Sequence, residues 1–161
     1  MHPPSPMNGR RPHYFEDLSI GQRFRSGTYA VDAARIKAFA QEYDPQPFHL
    51  DERAAEHTLF HGLAASGWHT TAITMRLAVT GELRLANGIL GVGVEELRWL
   101  KPVRPGDVLL VEGEVIAMRP SMSRPDHGVV KVRLTTVNQG GEAVQVVTSI
   151  LLVERRAQAA F

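Results

Sequence analysis

The chain has no cysteine among its 161 residues. That excludes a disulfide framework, a thiolate metal site and a cysteine nucleophile, and it fits a reducing cytoplasm, where we expect the protein to work. An excess of charge of one sign is also missing. The 18 Lys and Arg are offset by 17 Asp and Glu, a formal net charge of +1, so bulk electrostatics give no reason to expect a nucleic-acid partner. Long hydrophobic runs are lacking as well. No apolar stretch reaches the length of a bilayer span, and we expect no membrane partner. Residues 1–13 hold Pro3, Pro4, Pro6, Gly9 and Pro12 but no apolar segment, so they read as a disordered tail rather than a secretory leader. The length suits a single domain, expected over 14–156, with 157–161 as a frayed C-terminus.

What is present falls into two zones. In the first, Phe24 to Val31 reads as a strand, and Asp32 suits the N-cap of a following helix. Ile36, Phe39, Ala40 and Tyr43 share one face of that helix, which Pro45 ends. A short helical turn is expected after Asp51. From Gly67 to Val79 the chain carries no proline and almost no charge, which predicts a long helix buried nearly all round, with Ser66 as its N-cap.

The second zone is strand-like. Val94 to Leu100, Val108 to Met118, Val129 to Val137 and Val144 to Val153 are separated by Pro102–Asp107, a polar loop at 120–128 and Asn138-Gln139-Gly140-Gly141. Val130, Val132 and Leu134 alternate with Lys131, Arg133 and Thr135, the mark of a half-buried strand. The order predicts an α+β fold in which an antiparallel sheet covers one central helix.

Between the zones lies Asp44-Pro45-Gln46-Pro47-Phe48-His49-Leu50-Asp51. Two prolines fix their own φ and push Asp44 and Gln46 toward extended geometry, so a regular helix is not expected here. A stiff segment that carries a carboxylate and an imidazole can hold an acid and a base at a fixed separation, as general acid–base chemistry needs. Spacing alone also fits, and more readily, a plain turn in which Asp44 caps a helix and His49 packs.

The same residues resemble the MaoC-like dehydratases, the (R)-specific enoyl-CoA hydratase branch of the hot-dog fold. The family pattern is roughly Gly-Asp-x-Asn-Pro-aliphatic-His after an aromatic. Here Phe39 precedes Tyr43-Asp44-Pro45-Gln46-Pro47-Phe48-His49. A later His-Gly opens the family's central helix, and here Ser66-Gly67 follows Phe60. The likeness runs through Pro102–Asp107 to the last hairpin. Tyr43 stands where glycine is usual, Gln46 for asparagine, Ser66 for histidine, and Phe48 is bulkier than the usual aliphatic residue. His61-Gly62 also resembles the family's His-Gly but lies too close to His49.

The resemblance implies a hot-dog fold and a hydro-lyase that interconverts a 2-enoyl-CoA and a 3-hydroxyacyl-CoA. Asp44 and His49 would activate the water, and Gly67 would present a helix N-terminus to the thioester oxygen. Tight packing of the helix start is the other reading of Gly67. Tyr43, Gln46, Phe48, Ser66 and Trp68 would contact the substrate, with Tyr43 and Phe48 narrowing the tunnel toward short acyl groups, unless the aromatics point into the core. Beyond the coenzyme A of the substrate no cofactor is implied, and His57, His61 and His69 lack the spacing of metal ligands. Arg98, Lys101, Arg104, Arg119 and Arg124 either meet the coenzyme A phosphates or only solubilise the surface. A homodimer or higher homo-oligomer is expected, because one sheet around one helix leaves an open edge. Two alternatives remain: a thioesterase on the same fold, which would want a carboxylate that Gly67 to Gly81 lacks, and a non-catalytic acyl-thioester-binding protein.

Overall fold

A computed structural model describes residues 11–158. Most of the expected N-terminal tail and the last three residues lie outside the described residues. His13, at the end of that expected tail, bridges to Leu85, with its N–H on the Arg84 carbonyl. After a 3₁₀ turn at Phe15–Asp17, β1 spans Arg23–Ala30. Helix α1 (Ala33–Tyr43) begins where Asp32 accepts the Arg35 N–H at 2.8 Å, and buries Ile36 and Ala40. Two short helices follow, α2 (Pro47–Leu50) and α3 (Glu52–Glu56).

Helix α2 corrects the expectation of a segment without helix. Pro47 occupies its first turn, where a missing N–H costs nothing and φ is already helical, so one turn forms. Asp51 then caps α3 through the Ala54 N–H.

Helix α4 covers Gly67–Thr80, capped by Ser66, and packs against β1 and β3. It buries His69, Thr70, Ile73, Thr74, Leu77 and Ala78. Burial all round does not hold, because Trp68, Met75 and Val79 form an open apolar stripe. Spaced by seven and four residues, they fall on one face of the helix.

The sheet contains β2 (Leu90–Trp99), β3 (Val108–Pro120), β4 (His127–Val137) and β5 (Ala143–Glu154), in the antiparallel order β1-β3-β4-β5-β2. Strand β4 follows its sequence alternation, with Val130, Val132 and Leu134 turned into the core beside Leu109, Val115 and Val147. The β4–β5 hairpin closes on Asn138 and Glu142, with Gly141 at φ +74°. This is the sheet-around-a-helix architecture of the hot-dog fold. Strand β2 starts at Leu90, four residues earlier than its pattern suggests, and is broken by register shifts at Gly91/Gly93 and Glu95/Arg98. It forms an outer edge with Leu90, Val92 and Val94 exposed.

Candidate active site

Two chain reversals bring Asp44 and His49 together. Asp44 is the C-cap of α1, its N–H still bound to the Ala40 carbonyl at 2.9 Å. Pro45 blocks further helix, and the chain restarts at Pro47, which places His49 on the inner side of α2. His49 is 5 % exposed. Nδ1 lies 2.6 Å from the carbonyl oxygen of Ala64. A carbonyl has no proton to give, so Nδ1 carries one, and in the neutral form of the ring Nε2 is the nitrogen left as an acceptor. That nitrogen faces Asp44 Oδ2 at 3.4 Å.

The carboxylate is held from two further directions. Ser66 Oγ donates to Oδ2 at 2.7 Å and Gln46 Nε2 donates to Oδ1 at 2.7 Å. Burial pushes the Asp44 carboxyl up, but the bonds from Ser66 and Gln46 and the adjacent His49 outweigh it and hold the group below the usual aspartate range. Asp44 is therefore ionised at neutral pH. With the His49 ring in its neutral form, two acceptors, Nε2 and Oδ2, face each other. A water that gives one hydrogen to each satisfies both and turns its lone pairs outward.

The partner carbonyl of His49 is itself fixed. Ala64 N–H bonds the Phe48 carbonyl at 3.2 Å, and Ala65 N–H bonds the Val103 carbonyl at 2.9 Å. Arg104 donates to the carbonyls of Gly62 (2.9 Å), Leu63 (3.3 Å) and Phe60. Its guanidinium thereby ties down the loop before α4.

Asp44, Gln46 and His49 line a cavity of about 390 Å³ with Gly67, Thr70, Phe60, Trp68, Trp99 and the segment 100–103. Gly67 is the first residue of α4, where backbone N–H groups have no partner within the helix and the helix dipole is positive. A Cβ on Gly67 would lie 2.4 Å from Cε2 of Trp99, so the glycine lets the indole rest against the helix start. Trp68 meets Trp99 edge to face at 5.1 Å.

Three of the residues expected to touch substrate lie off the cavity wall. Ser66 is fully buried, its hydroxyl spent on Asp44 and on the Trp68 N–H at 3.3 Å. Tyr43 is 66 % exposed and packs on Phe39. Phe48 packs on Phe60 and edge-on to His49. Narrowing of the cavity thus falls to Phe60, Trp68 and Trp99. Trp99 escaped the sequence reading. Its signal was an aromatic three residues before Pro102, at the end of a strand.

The MaoC like domain family matches residues 17–138. The chain belongs to this MaoC-like family. A MaoC-like dehydratase from Rhodospirillum rubrum superposes with a TM-score of 0.87 at 59 % identity, covering 90 % of this chain and 99 % of that one. The R-hydratase PhaJ1 from Pseudomonas aeruginosa superposes with a TM-score of 0.72 at 25 % identity, covering 92 % of each chain. A mesaconyl-CoA hydratase from Cereibacter sphaeroides is 35 % identical over 91 % of this chain, which spans only 43 % of that protein's length. The MaoC-like chain thus shares its fold with dehydratases and hydratases, and its Asp44–His49 pair lies in a cavity at the start of the helix that the sheet covers.

Proposed function

We propose that the protein adds water across the double bond of a 2-enoyl-CoA, and removes it in reverse, with Asp44 and His49 as the acting pair. The observation that carries this is the geometry of the His49 ring: Nδ1 2.6 Å from the Ala64 carbonyl, Nε2 3.4 Å from the Asp44 carboxylate. A water held between them loses a proton to Nε2 as its oxygen bonds to C3. The π electrons shift to C2 and onto the thioester oxygen, and the imidazolium is stabilised by Asp44. The oxygen's charge is met by the Gly67 N–H and the α4 dipole. His49 then returns the proton to C2, which leaves a 3-hydroxyacyl thioester and restores the neutral ring. The family's hydratase members support the same reading. Thioester hydrolysis is less well supported, because α4 offers no carboxylate beside the cavity.

The active form in this proposal is a homodimer or higher homo-oligomer. Among the described residues, strand β2 leaves one side unpaired, with Leu90, Val92 and Val94 exposed along it, and α4 leaves Trp68, Met75 and Val79 open. A second copy satisfies both by an isologous contact. A cytoplasmic location belongs to the same proposal and rests on the absence of cysteine.

The test is loss of conjugated-thioester absorbance with a panel of enoyl-CoA compounds. Asp44→Asn and His49→Ala should each lower kcat/KM by roughly 10²–10⁴-fold while the fold is kept. Near wild-type turnover in either variant removes that residue from the mechanism.

A further inference from the structure

We propose that Trp99 is the wall that limits the acyl group, and that Gln145, buried behind it, is the positioning residue that holds it there. This rests on the hydration reading and names its substrate class: short or compact 2-enoyl thioesters.

Gln145 lies on β5 and is fully buried. A buried amide costs free energy unless it is bonded, and an aliphatic side chain would fill the same space without that cost. Here the amide is well used. Oε1 accepts the Trp99 indole N–H at 3.0 Å and shares the Thr71 hydroxyl hydrogen, at 2.8 Å, with the Gly67 carbonyl at 2.9 Å. Nε2 donates to Thr74 Oγ1 at 3.0 Å, and Thr74 is tied in turn to Thr136 at 2.6 Å and to the Thr70 carbonyl at 2.9 Å. The indole N–H is shared with Thr71 Oγ1 at 3.3 Å. All of these groups are uncharged, and the chain of bonds ends at Trp99, where the ring is also braced by Trp68.

The position of the ring gives the network its purpose. The indole sits where a Cβ of Gly67 would be, against the helix start that receives the thioester oxygen, and it lines the cavity of Asp44 and His49. In the proposed pose, with the thioester at Gly67 and C3 at the dyad, added acyl bulk would meet this ring, which is 46 % exposed and lines the cavity. A fixed ring excludes it, whereas a loose ring would swing aside. Selectivity from such an apolar wall is graded, about 10–200-fold per methylene at most.

The experiment compares C4, C8 and C12 2-enoyl-CoA substrates on wild type, Trp99→Ala, Trp99→Phe and Gln145→Leu. Trp68 and Trp99 are the only tryptophans, so a Trp68→Phe background makes Trp99 the sole fluorophore. Wild type should favour C4 over C12 by at least about tenfold in kcat/KM. Trp99→Ala should erase the preference, and Trp99→Phe should lie between. Gln145→Leu should weaken it at least about threefold, mainly through KM for the long substrates, and should raise acrylamide quenching of Trp99. Thr71→Val takes the place of Gln145→Leu if that variant does not fold. A wild type that hydrates C12 as well as C4, or an unchanged profile in Trp99→Ala, overturns the wall. Unchanged quenching and profile in the Gln145 or Thr71 variant overturn the hold. Hydration of no enoyl-CoA by wild type instead overturns the hydration reading and the wall with it, and the quenching measurement still decides the hold.

Discussion

Replacing Ser66 with alanine should damage both the fold and the chemistry, because one hydroxyl serves both. Its oxygen accepts the Trp68 N–H at the start of α4, and its hydrogen goes to Asp44. Loss of an N-cap costs about 0.5–2 kcal/mol. Loss of a hydrogen bond to an ionised group costs about 1.5–3 kcal/mol when nothing replaces it. The Asp44 side chain is 17 % exposed, so water recovers part of the second term. We expect a net loss of about 1–3 kcal/mol, or about 3–10 °C in Tm for a domain of this size. Gln46→Ala is the control. It removes a bond of the same 2.7 Å length to the other carboxylate oxygen, but at an exposed site, and should stay within about 0.5 kcal/mol.

The pH dependence follows from the sign of the shift. Folding lowers the Asp44 carboxyl below its ordinary 3.8, so its contribution to stability is complete above that value and is lost as pH falls through the lower folded one. Ser66→Ala removes a lowering cause. The stability gap between wild type and variant should therefore shrink in acid below the ordinary aspartate value, leaving only the capping part. With the carboxylate no longer held, hydration should fall about 10–10²-fold, as expected for a small misplacement of a reacting group. Thermal melts from pH 3 to 7 with kcat/KM at pH 7 test this. A Ser66→Ala protein that melts like wild type, or a Gln46→Ala protein that loses as much, refutes the argument.

His69 is buried and stacked on Phe39 at 4.6 Å, with Nδ1 lacking a hydrogen-bond partner among the described residues. Burial pushes its pKa down, and Asp32 only partly opposes this. The unfolded chain then takes up the proton first, so stability falls as pH drops through the ordinary 6.5, and His69→Leu should flatten that loss between pH 7.5 and 5.5. Parallel pH–stability curves for wild type and variant refute this origin. At the sheet edge, Val94→Lys should weaken self-association at least about tenfold, since edge lysines oppose strand pairing. Sedimentation at micromolar concentration measures it, and a monomeric wild type rules out the dimer.

Local rules carried much of this protein. Asp32, Asp51 and Ser66 cap helices where their side chains suit it, Pro45 ends α1, and the alternation in β4 sets its inner face, because each depends on a few adjacent residues. The proximity of Asp44 and His49 was legible for the same reason, since five residues and two prolines allow few paths. Contacts between distant segments were not legible. The proton on His49 Nδ1 is set by a carbonyl 15 residues away, the hold on Trp99 by a glutamine 46 residues on, and the task of Arg104 by a loop more than 40 residues before it. Sequence periodicity also made α4 a buried helix, whereas the fold of one chain leaves Trp68, Met75 and Val79 open. Apolar character marks a helix as suited to burial. Which of its faces the chain itself covers depends on how the sheet and its edges are arranged in three dimensions.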